Sequence, residues 1–323
     1  TAIPTDNTIS VDDKGFWRKG VTSSDFNHAD VLQHVTDQSV AFIEKNANKP
    51  FFLYFALPAP HTPILPSSQF MGKSNTNMYG DFVLQVDDVV GQIEAILKQK
   101  GISENTLIIF TSDNGCSPKA NFKELARVSH DPSYIYRGHK ADIYEGGHRV
   151  PFVVKWPKRI KAGTQSDVTI CTTDFFATAA EIVDYKMEDN MGEDSFSMLP
   201  ILVGSKSTKP AREATVHHSI EGRFAIRKEN WKLVLWPGSG GWTFPNTKKD
   251  LAGLPKYQLF DLDKDPGEEN NLFAQNPTKV KELEDLMKKY INDGRSTPGK
   301  IQKNDPAKNW TQLEWMTNPN PSR

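Results

Sequence analysis

The chain has 323 residues, enough for one large domain or for a large domain followed by a smaller one. Its 39 Lys and Arg residues nearly balance its 40 Asp and Glu residues, which leaves a formal net charge of -1 at pH 7. This balance argues against a protein that binds nucleic acid through a basic face. No run of the sequence approaches the roughly 20 apolar residues that a membrane span needs.

The N-terminal residues and the cysteines leave the cell compartment open. Residues 1–13 lack both the charged n-region and the apolar h-region of a signal peptide, but the chain does not begin with Met. The two cysteines, Cys116 and Cys171, are too few for a disulfide framework, and the sequence alone does not say whether they pair.

Helices and strands alternate in the first part of the chain. Apolar residues recur at helical spacing over residues 30–45 and 78–100, and Gly101 marks the end of the second helix. Continuous apolar runs over residues 50–57 and 107–110 predict strands that are buried on both faces. The alternation predicts a mainly parallel α/β sheet flanked by helices.

Another strand is predicted within residues 150–157, and residues 172–183 predict a helix capped near Thr173 or Asp174. Further along, short strand-like segments separated by turn residues predict an antiparallel sheet; they are residues 214–220, 223–228, 231–236 and 257–263. An amphipathic helix is predicted over 277–293, followed by an extended tail. We therefore predict an α/β core over 1–205 and a smaller antiparallel subdomain over 206–323.

Asp113 and Asn114 directly follow the apolar run that ends near residue 110. In open α/β sheets, ligands bind beyond the carboxyl ends of the strands. A carboxylate and an amide oxygen suit a hard cation such as calcium or magnesium, which takes about six oxygen ligands, so others must come from elsewhere. The alternative is an ordinary Asx turn at the end of a strand.

Other candidate residues lie in loops beside the predicted strands. His61, in a proline-rich loop, could bind an anion or act as a general acid, or could be an ordinary surface histidine. Residues 136–151 hold Arg137, Lys140 and His148, whose charges suit a sulfate or phosphate; the alternative is a solvated basic loop.

Two further pairs of residues lie on the antiparallel part of the chain. His217 and His218 are neighbours on a predicted strand, so at most one of them points at a site. The turn over residues 238–241 lacks the Lys and the following helix of a phosphate-binding loop. It is flanked by Trp236 and Trp242, aromatic side chains that could line a sugar site.

Taken in order, several of these segments resemble the type I sulfatases, the arylsulfatase-like members of the alkaline phosphatase superfamily. The segments are PHTP at 60–63, SDNG at 112–115, RGHKADIYEGGHRVP at 137–151, FFATAAEI at 175–182 and YQLFDLDKDPGEENNL at 257–272. The resemblance implies an alkaline-phosphatase-like α/β fold with a smaller C-terminal subdomain. It also implies hydrolysis of sulfate esters with calcium, and a periplasmic or secreted location.

The resemblance assigns roles to individual residues. Asp113 and Asn114 match the second pair of metal ligands of the family. His61 matches the histidine that contacts the sulfate near the leaving oxygen, and Lys140 matches the lysine that bridges the sulfate to the catalytic residue. Four residues are expected on the substrate side of the site: Arg137, His148, His217 and His218.

The chain departs from the family in its nucleophile. Sulfatases use a Cys or Ser in a C-x-P-S-R-type motif, which is oxidised to formylglycine. The segment 116–120 reads CSPKA, ends in Ala120 instead of Arg, and follows the metal pair instead of preceding it. We therefore reject Cys116 as the nucleophile. The first pair of metal ligands is also missing, so the chain matches the C-terminal portion of a sulfatase whose formylglycine lies in an upstream segment.

Three functions remain open at this stage. The first is a sulfatase acting on sulfated carbohydrates, or on an aryl sulfate in assays. A phosphate or phosphonate ester hydrolase of the same superfamily is the second. The third is a non-catalytic fragment of the fold.

Overall fold

A computed structural model of the chain describes residue 24 and residues 26–204, 212–304 and 310–316. The chain divides into two compact units, Thr1–Ile108 with Ser117–Pro132 and Trp156–Lys158, and Ile109–Cys116 with Ser133–Lys155 and Arg159–Arg323. The predicted boundary between residues 205 and 206 lies outside the described residues, as do residues 305–309 and 317–323 of the predicted tail.

The first unit contains the helices α1 (Val31–Asn46), α2 (Met78–Gln99) and α3 (Phe122–Ala126). The first two helices pack against each other through two apolar clusters, which are built around Leu32, Phe82 and Val89 and around Ile43, Ile96 and Leu97. Asn77 caps the start of α2, because its side-chain oxygen accepts hydrogen bonds from the backbone N–H groups of Tyr79 and Gly80. Gly101 follows α2 in the left-handed conformation that glycine tolerates. Both predicted helices are confirmed.

Residues 50–57 do not form the predicted strand. Phe51, Leu53, Phe55 and Leu57 pack against the helices, whereas the side chains that alternate with them point away. Phe52 and Tyr54 are 81% and 82% exposed. A strand requires a hydrogen-bonded neighbour, and none of the described residues pairs with this segment in a sheet. The prediction of a strand buried on both faces was therefore wrong for residues 50–57.

The next elements lie around a two-stranded sheet formed by β1 (Ile108–Thr111) and β2 (Phe152–Lys155). The side chains of β1 are half-buried, so the expected burial on both faces is wrong here too; β2 is its single neighbour among the described strands. Three short helices belong to this region: α4 (Glu145–His148), α5 (Phe175–Ile182) and α6 (Leu199–Leu202). The predicted β2 and α5 are confirmed.

A four-stranded antiparallel sheet completes the second unit. Its order is β3 (Thr215–His218), β4 (Phe224–Lys228), β5 (Trp231–Val234) and β6 (Gln258–Asp261), with α7 (Lys248–Leu251) between the last two strands. The long helix α8 (Pro277–Asp293) follows. The antiparallel sheet and the amphipathic helix are both confirmed.

The two faces of this sheet carry different partners because neighbouring strand residues point to opposite sides. On one face Ile226, Leu233 and Leu259 pack against α8. On the other face a cluster forms around Ala225, Val234 and Phe260, and it includes Ile143 and Tyr144 from the loop before α4. The sheet therefore supports the segment that holds the predicted sulfate-binding residues. Among the described helices, none has the length and apolar character needed to cross a membrane.

Candidate active site

The residues after β1 are hydrogen-bonded to the segment around α4 that carries Lys140, residues 136–151, which we call the Lys140 loop. The backbone N–H of Gly115 donates to the carbonyl of Gly147 at 2.9 Å, and the N–H of Lys140 donates to the carbonyl of Cys116 at 2.9 Å. A Cβ atom at Gly115 would lie 1.8 Å from the carbonyl oxygen of Gly146, so glycine is required there. These contacts place the Asp113–Asn114 pair and Lys140 on adjoining segments.

Asp113 and Asn114 offer two oxygen ligands of the kind that a hard cation prefers. Asp113 is exposed, and its Oδ1 accepts a hydrogen bond from the Ser112 hydroxyl at 3.4 Å. Asn114 donates its amide Nδ2 to the carbonyl of Gly115 at 3.2 Å, which leaves the amide oxygen as the group able to bind an ion. The described part of the chain contains no group of three or more His, Cys, Asp or Glu side chains that could hold a metal ion. The donor chemistry fits calcium, but it supplies only part of the required ligand set.

Arg137 is bound to its own protein. Its guanidinium donates to the carbonyl of Glu268 at 2.9 Å and to that of Phe244 at 3.4 Å, and it stacks 4.0 Å above the ring of Tyr144. These contacts hold the start of the Lys140 loop against the C-terminal residues. A substrate contact from Arg137 stays a prediction.

His148 and His217 form a ring pair, with centroids 4.3 Å apart. Burial lowers the pKa of His148 to about 4. Burial, together with the repulsion that a protonated His148 would exert, lowers the pKa of His217 well below its ordinary value. Both imidazoles are therefore neutral at pH 7. The Nε2 atom of His148 is buried and has no hydrogen-bond partner among the described residues, and a substrate contact from His148 stays a prediction.

His218 and His61 make other contacts. His218 is exposed, and its Nδ1 is 2.7 Å from the carbonyl of Ser219. Of the two neighbouring strand histidines, the structure thus places only His217 beside His148. His61 belongs to the first unit, where its exposed ring lies 2.8 Å from the carbonyl of Thr62. Its role at the sulfate stays a prediction.

A buried ionic cluster that the sequence pattern did not predict joins α4 to the antiparallel sheet. Lys232 Nζ is 3.1 Å from Glu145 Oε1 and 2.8 Å from Glu268 Oε1, and all three residues are buried. Glu268 also accepts a hydrogen bond from the backbone N–H of Glu145 at 2.6 Å. The only signal in the sequence was a lysine inside the apolar run 231–236.

The two glutamates of this cluster have pKa values shifted in opposite directions. Burial raises the pKa of Glu145, but Lys232 and Arg227 outweigh burial and hold that pKa below its ordinary value. Burial raises the pKa of Glu268, and Lys232 offsets this only in part. The cluster ties α4 to β5 and to the loop after β6, so it stabilises the base of the Lys140 loop.

Cys116 lies in a turn that does not match the nucleophile motif. Neither Cys116 nor Cys171 is in a disulfide bond. Ser117 accepts a hydrogen bond from the N–H of Lys119 and so begins a short 3-10 helix. Ala120, which stands where the motif needs Arg, is buried. The rejection of Cys116 as the nucleophile stays a prediction.

We expect Cys116→Ala in the full-length protein to leave turnover of a sulfate ester within a few-fold of the unchanged protein. The reason is that the hydrogen bond of Cys116 with Lys140 uses its backbone carbonyl, which alanine retains. Steady-state kinetics measures the effect, with Cys171→Ala as the matched control. Formylglycine found at position 116 by mass spectrometry would reverse this assignment.

Comparisons with known proteins agree with the geometry. The family profile described as Sulfatase matches residues 12–185, more than half of the chain, and that of the N-sulphoglucosamine sulphohydrolase C-terminal region matches residues 138–297. The chain is 34% identical to an N-acetylgalactosamine-6-O-sulfatase of Bacteroides thetaiotaomicron, covering 84% of this chain and 53% of the relative. It is 28% identical to the steryl-sulfatase of Homo sapiens, covering 90% and 52%.

The chain is also similar in fold to solved structures. A Bacteroides thetaiotaomicron structure, described in work on the metabolism of multiple glycosaminoglycans, has a TM-score of 0.72 and 34% identity, covering 82% of this chain and 55% of the other. A sulfatase from Pseudoalteromonas sp. has a TM-score of 0.68 and 25% identity, covering 85% and 56%.

The chain spans about half the length of the curated relatives it matches. Its fold is the α/β, alkaline-phosphatase-like fold of these neighbours, with an antiparallel C-terminal subdomain. The matched family profile and the strand-end site together lead to one conclusion: this chain belongs to the sulfatase family.

Proposed function

We propose that the full-length protein is a sulfatase that hydrolyses sulfate esters of sulfated carbohydrates, and of aryl sulfates in assays. The observation that carries this proposal is the joining of the Asp113–Asn114 strand end to the Lys140 loop in a chain of the sulfatase family. It brings oxygen ligands for a cation and a positive charge for an anion onto adjoining segments. The names of the relatives, which include N-acetylgalactosamine-6-O-sulfatase, support a sugar substrate.

Each residue has a role in this proposal. Asp113 and Asn114 would hold calcium, which offsets the negative charges of the sulfate and the nucleophile when it is bound. Lys140 would stabilise the sulfate oxygens as charge builds up on them. His61 would donate a proton to the leaving oxygen. Arg137 and the pair His148–His217 would contact the sugar.

We also propose that an upstream segment of the same polypeptide supplies the formylglycine and the remaining metal ligands. Two supporting observations are the coverage of about half of each relative and the partial ligand set. The exposed faces of Phe52 and Tyr54 offer that segment an apolar surface to cover. A periplasmic or secreted location is part of this proposal and rests on the family resemblance.

The test uses the full-length protein with two matched esters, a 6-sulfated and a 6-phosphorylated N-acetylhexosamine. We expect hydrolysis of the sulfate ester in the presence of calcium. Preferential hydrolysis of the phosphate ester would favour the phosphatase alternative. If neither ester is hydrolysed although mass spectrometry detects formylglycine, the sulfatase proposal is rejected.

The metal assignment makes its own prediction. Asp113→Ala in the full-length protein should remove the rise in Tm that added calcium causes, because one of few charged ligands is lost. Differential scanning calorimetry with and without calcium measures this shift. Asp87→Ala is the matched control, since it removes the same charge from an exposed helical position. An unchanged calcium shift in Asp113→Ala would contradict the assignment.

A further inference from the structure

One buried carboxylate connects the Lys140 loop with the loop that carries Trp242. Asp142 is only 1% exposed. Its Oδ1 accepts hydrogen bonds from the backbone N–H groups of Trp242 at 2.7 Å and Thr243 at 2.9 Å. Its Oδ2 accepts from the N–H of His139 at 2.9 Å and from the hydroxyl of Thr243. The backbone of Trp242 is therefore fixed relative to the residue that precedes Lys140.

Further contacts hold the same loop from both sides. The N–H of Ile143 donates to the carbonyl of Ser239 at 2.9 Å, and Asn246 Nδ2 donates to the carbonyl of Trp242 at 2.8 Å. A Cβ atom at Gly241 would lie 2.5 Å from the carbonyl oxygen of Ala141, so only glycine allows this approach. The backbone at Trp242 is thus immobilised without using its side chain.

The indole of Trp242 stays available on this fixed backbone. It is 47% exposed, and its ring centroid lies 6.3 Å from that of His139. Trp236, at the other end of the turn, is only 7% exposed and is covered by the guanidinium of Arg223 at 3.5 Å. Trp236 is used in packing, whereas Trp242 presents a large, rigid, half-exposed aromatic face.

We propose that Trp242 is a specificity-determining residue whose indole face receives the ring of the sugar that carries the sulfate. A pyranose ring has faces lined with C–H groups, which an aromatic plane can cover, and ligand sites combine such apolar surfaces with a few polar groups. The neighbouring Lys140 would hold the sulfate of the same sugar. This inference rests on the proposed function, because it takes Lys140 as the sulfate contact.

The test compares the unchanged full-length protein with Trp242→Ala and Trp242→Phe. With 6-sulfated N-acetylgalactosamine as substrate, Trp242→Ala should raise KM about tenfold and leave kcat within a few-fold, because stacking acts in ground and transition states alike. Trp242→Phe should restore most of the affinity. The inhibition constant of inorganic sulfate should not change, since sulfate has no ring. Trp310→Ala, at a tryptophan with 53% exposure, is the matched control and should leave KM unchanged.

An unchanged KM in Trp242→Ala would overturn the inference, and so would an equal weakening of the sugar and of inorganic sulfate. Binding of desulfated N-acetylgalactosamine, followed by NMR titration, separates this result from the proposed function. If the full-length protein shows no sulfatase activity, the proposed function fails. Loss of sugar binding in Trp242→Ala would then still support the inference, and retained or undetectable binding in both proteins would reject it.

Discussion

Replacing Lys140 with Ala in the full-length protein is expected to lower kcat for a sulfated sugar by about 10²–10³-fold. The proposed reason is that the ammonium group stabilises charge that develops on the sulfate oxygens in the transition state. The loop itself should remain in place, because the contact that anchors Lys140 comes from its backbone N–H to the carbonyl of Cys116. Steady-state kinetics on one sulfated sugar and one small aryl sulfate measures the effect.

Two further variants make this result specific. Lys98→Ala, at an exposed position of α2, removes the same charge and should leave kcat unchanged. His148→Ala should instead raise KM or change the preference between the two substrates, since it removes a binding contact. A normal kcat in Lys140→Ala, or equal damage to both substrates in His148→Ala, would show that the roles are assigned incorrectly.

The second large effect concerns stability. Lys232→Met should lower the free energy of unfolding by about 3–5 kcal/mol, because it leaves the carboxylates of Glu145 and Glu268 buried without their shared cation. Denaturant unfolding followed by circular dichroism measures the loss. Lys264→Met is the matched control: Lys264 pairs with Asp261 at 2.9 Å but is 84% exposed, so its loss should lower the free energy of unfolding much less.

A double variant tests the cause of that effect. Glu145 keeps its ion pair with Arg227 at 3.2 Å when Lys232 is replaced, whereas Glu268 loses the cation it pairs with. Adding Glu268→Gln to Lys232→Met removes that buried charge and should recover part of the lost stability. If Lys232→Met costs no more than Lys264→Met, the buried cluster does not stabilise the Lys140 loop.

The sequence predicted those elements whose signals are local. Helix α8 covers the same residues, 277–293, as its amphipathic pattern, because Pro277 begins it and Gly294 ends it in the left-handed conformation. The strands β3 to β6 were also predicted, since turn residues separate them. Residues 50–57 were not predicted correctly, because an apolar run shows a tendency to be buried but does not show which neighbour will pair with it.

In the candidate site, too, the sequence predicted the residues with a local signal and missed those that long-range contacts bring together. The Asp113–Asn114 pair was identified because the end of an apolar run marks the end of a strand. The ionic cluster was not, because it joins residues that are 87 and 123 positions apart in the chain. Its members look like ordinary charged residues until the fold brings them together. Asp142 was missed for the same reason: its partners at Trp242 and Thr243 are about a hundred positions away, at separations of 100 and 101.

The two-sided packing of the antiparallel sheet has a consequence for protein engineering. One face of the sheet holds α8, and the other holds Ile143 and Tyr144 beside the Lys140 loop. A graft that exchanged only residues 136–151 with those of another sulfatase would place a foreign loop opposite Lys232 and Glu268. Grafts that transfer residues 136–151 together with β5, β6 and the loop after β6 would keep the matching charges together.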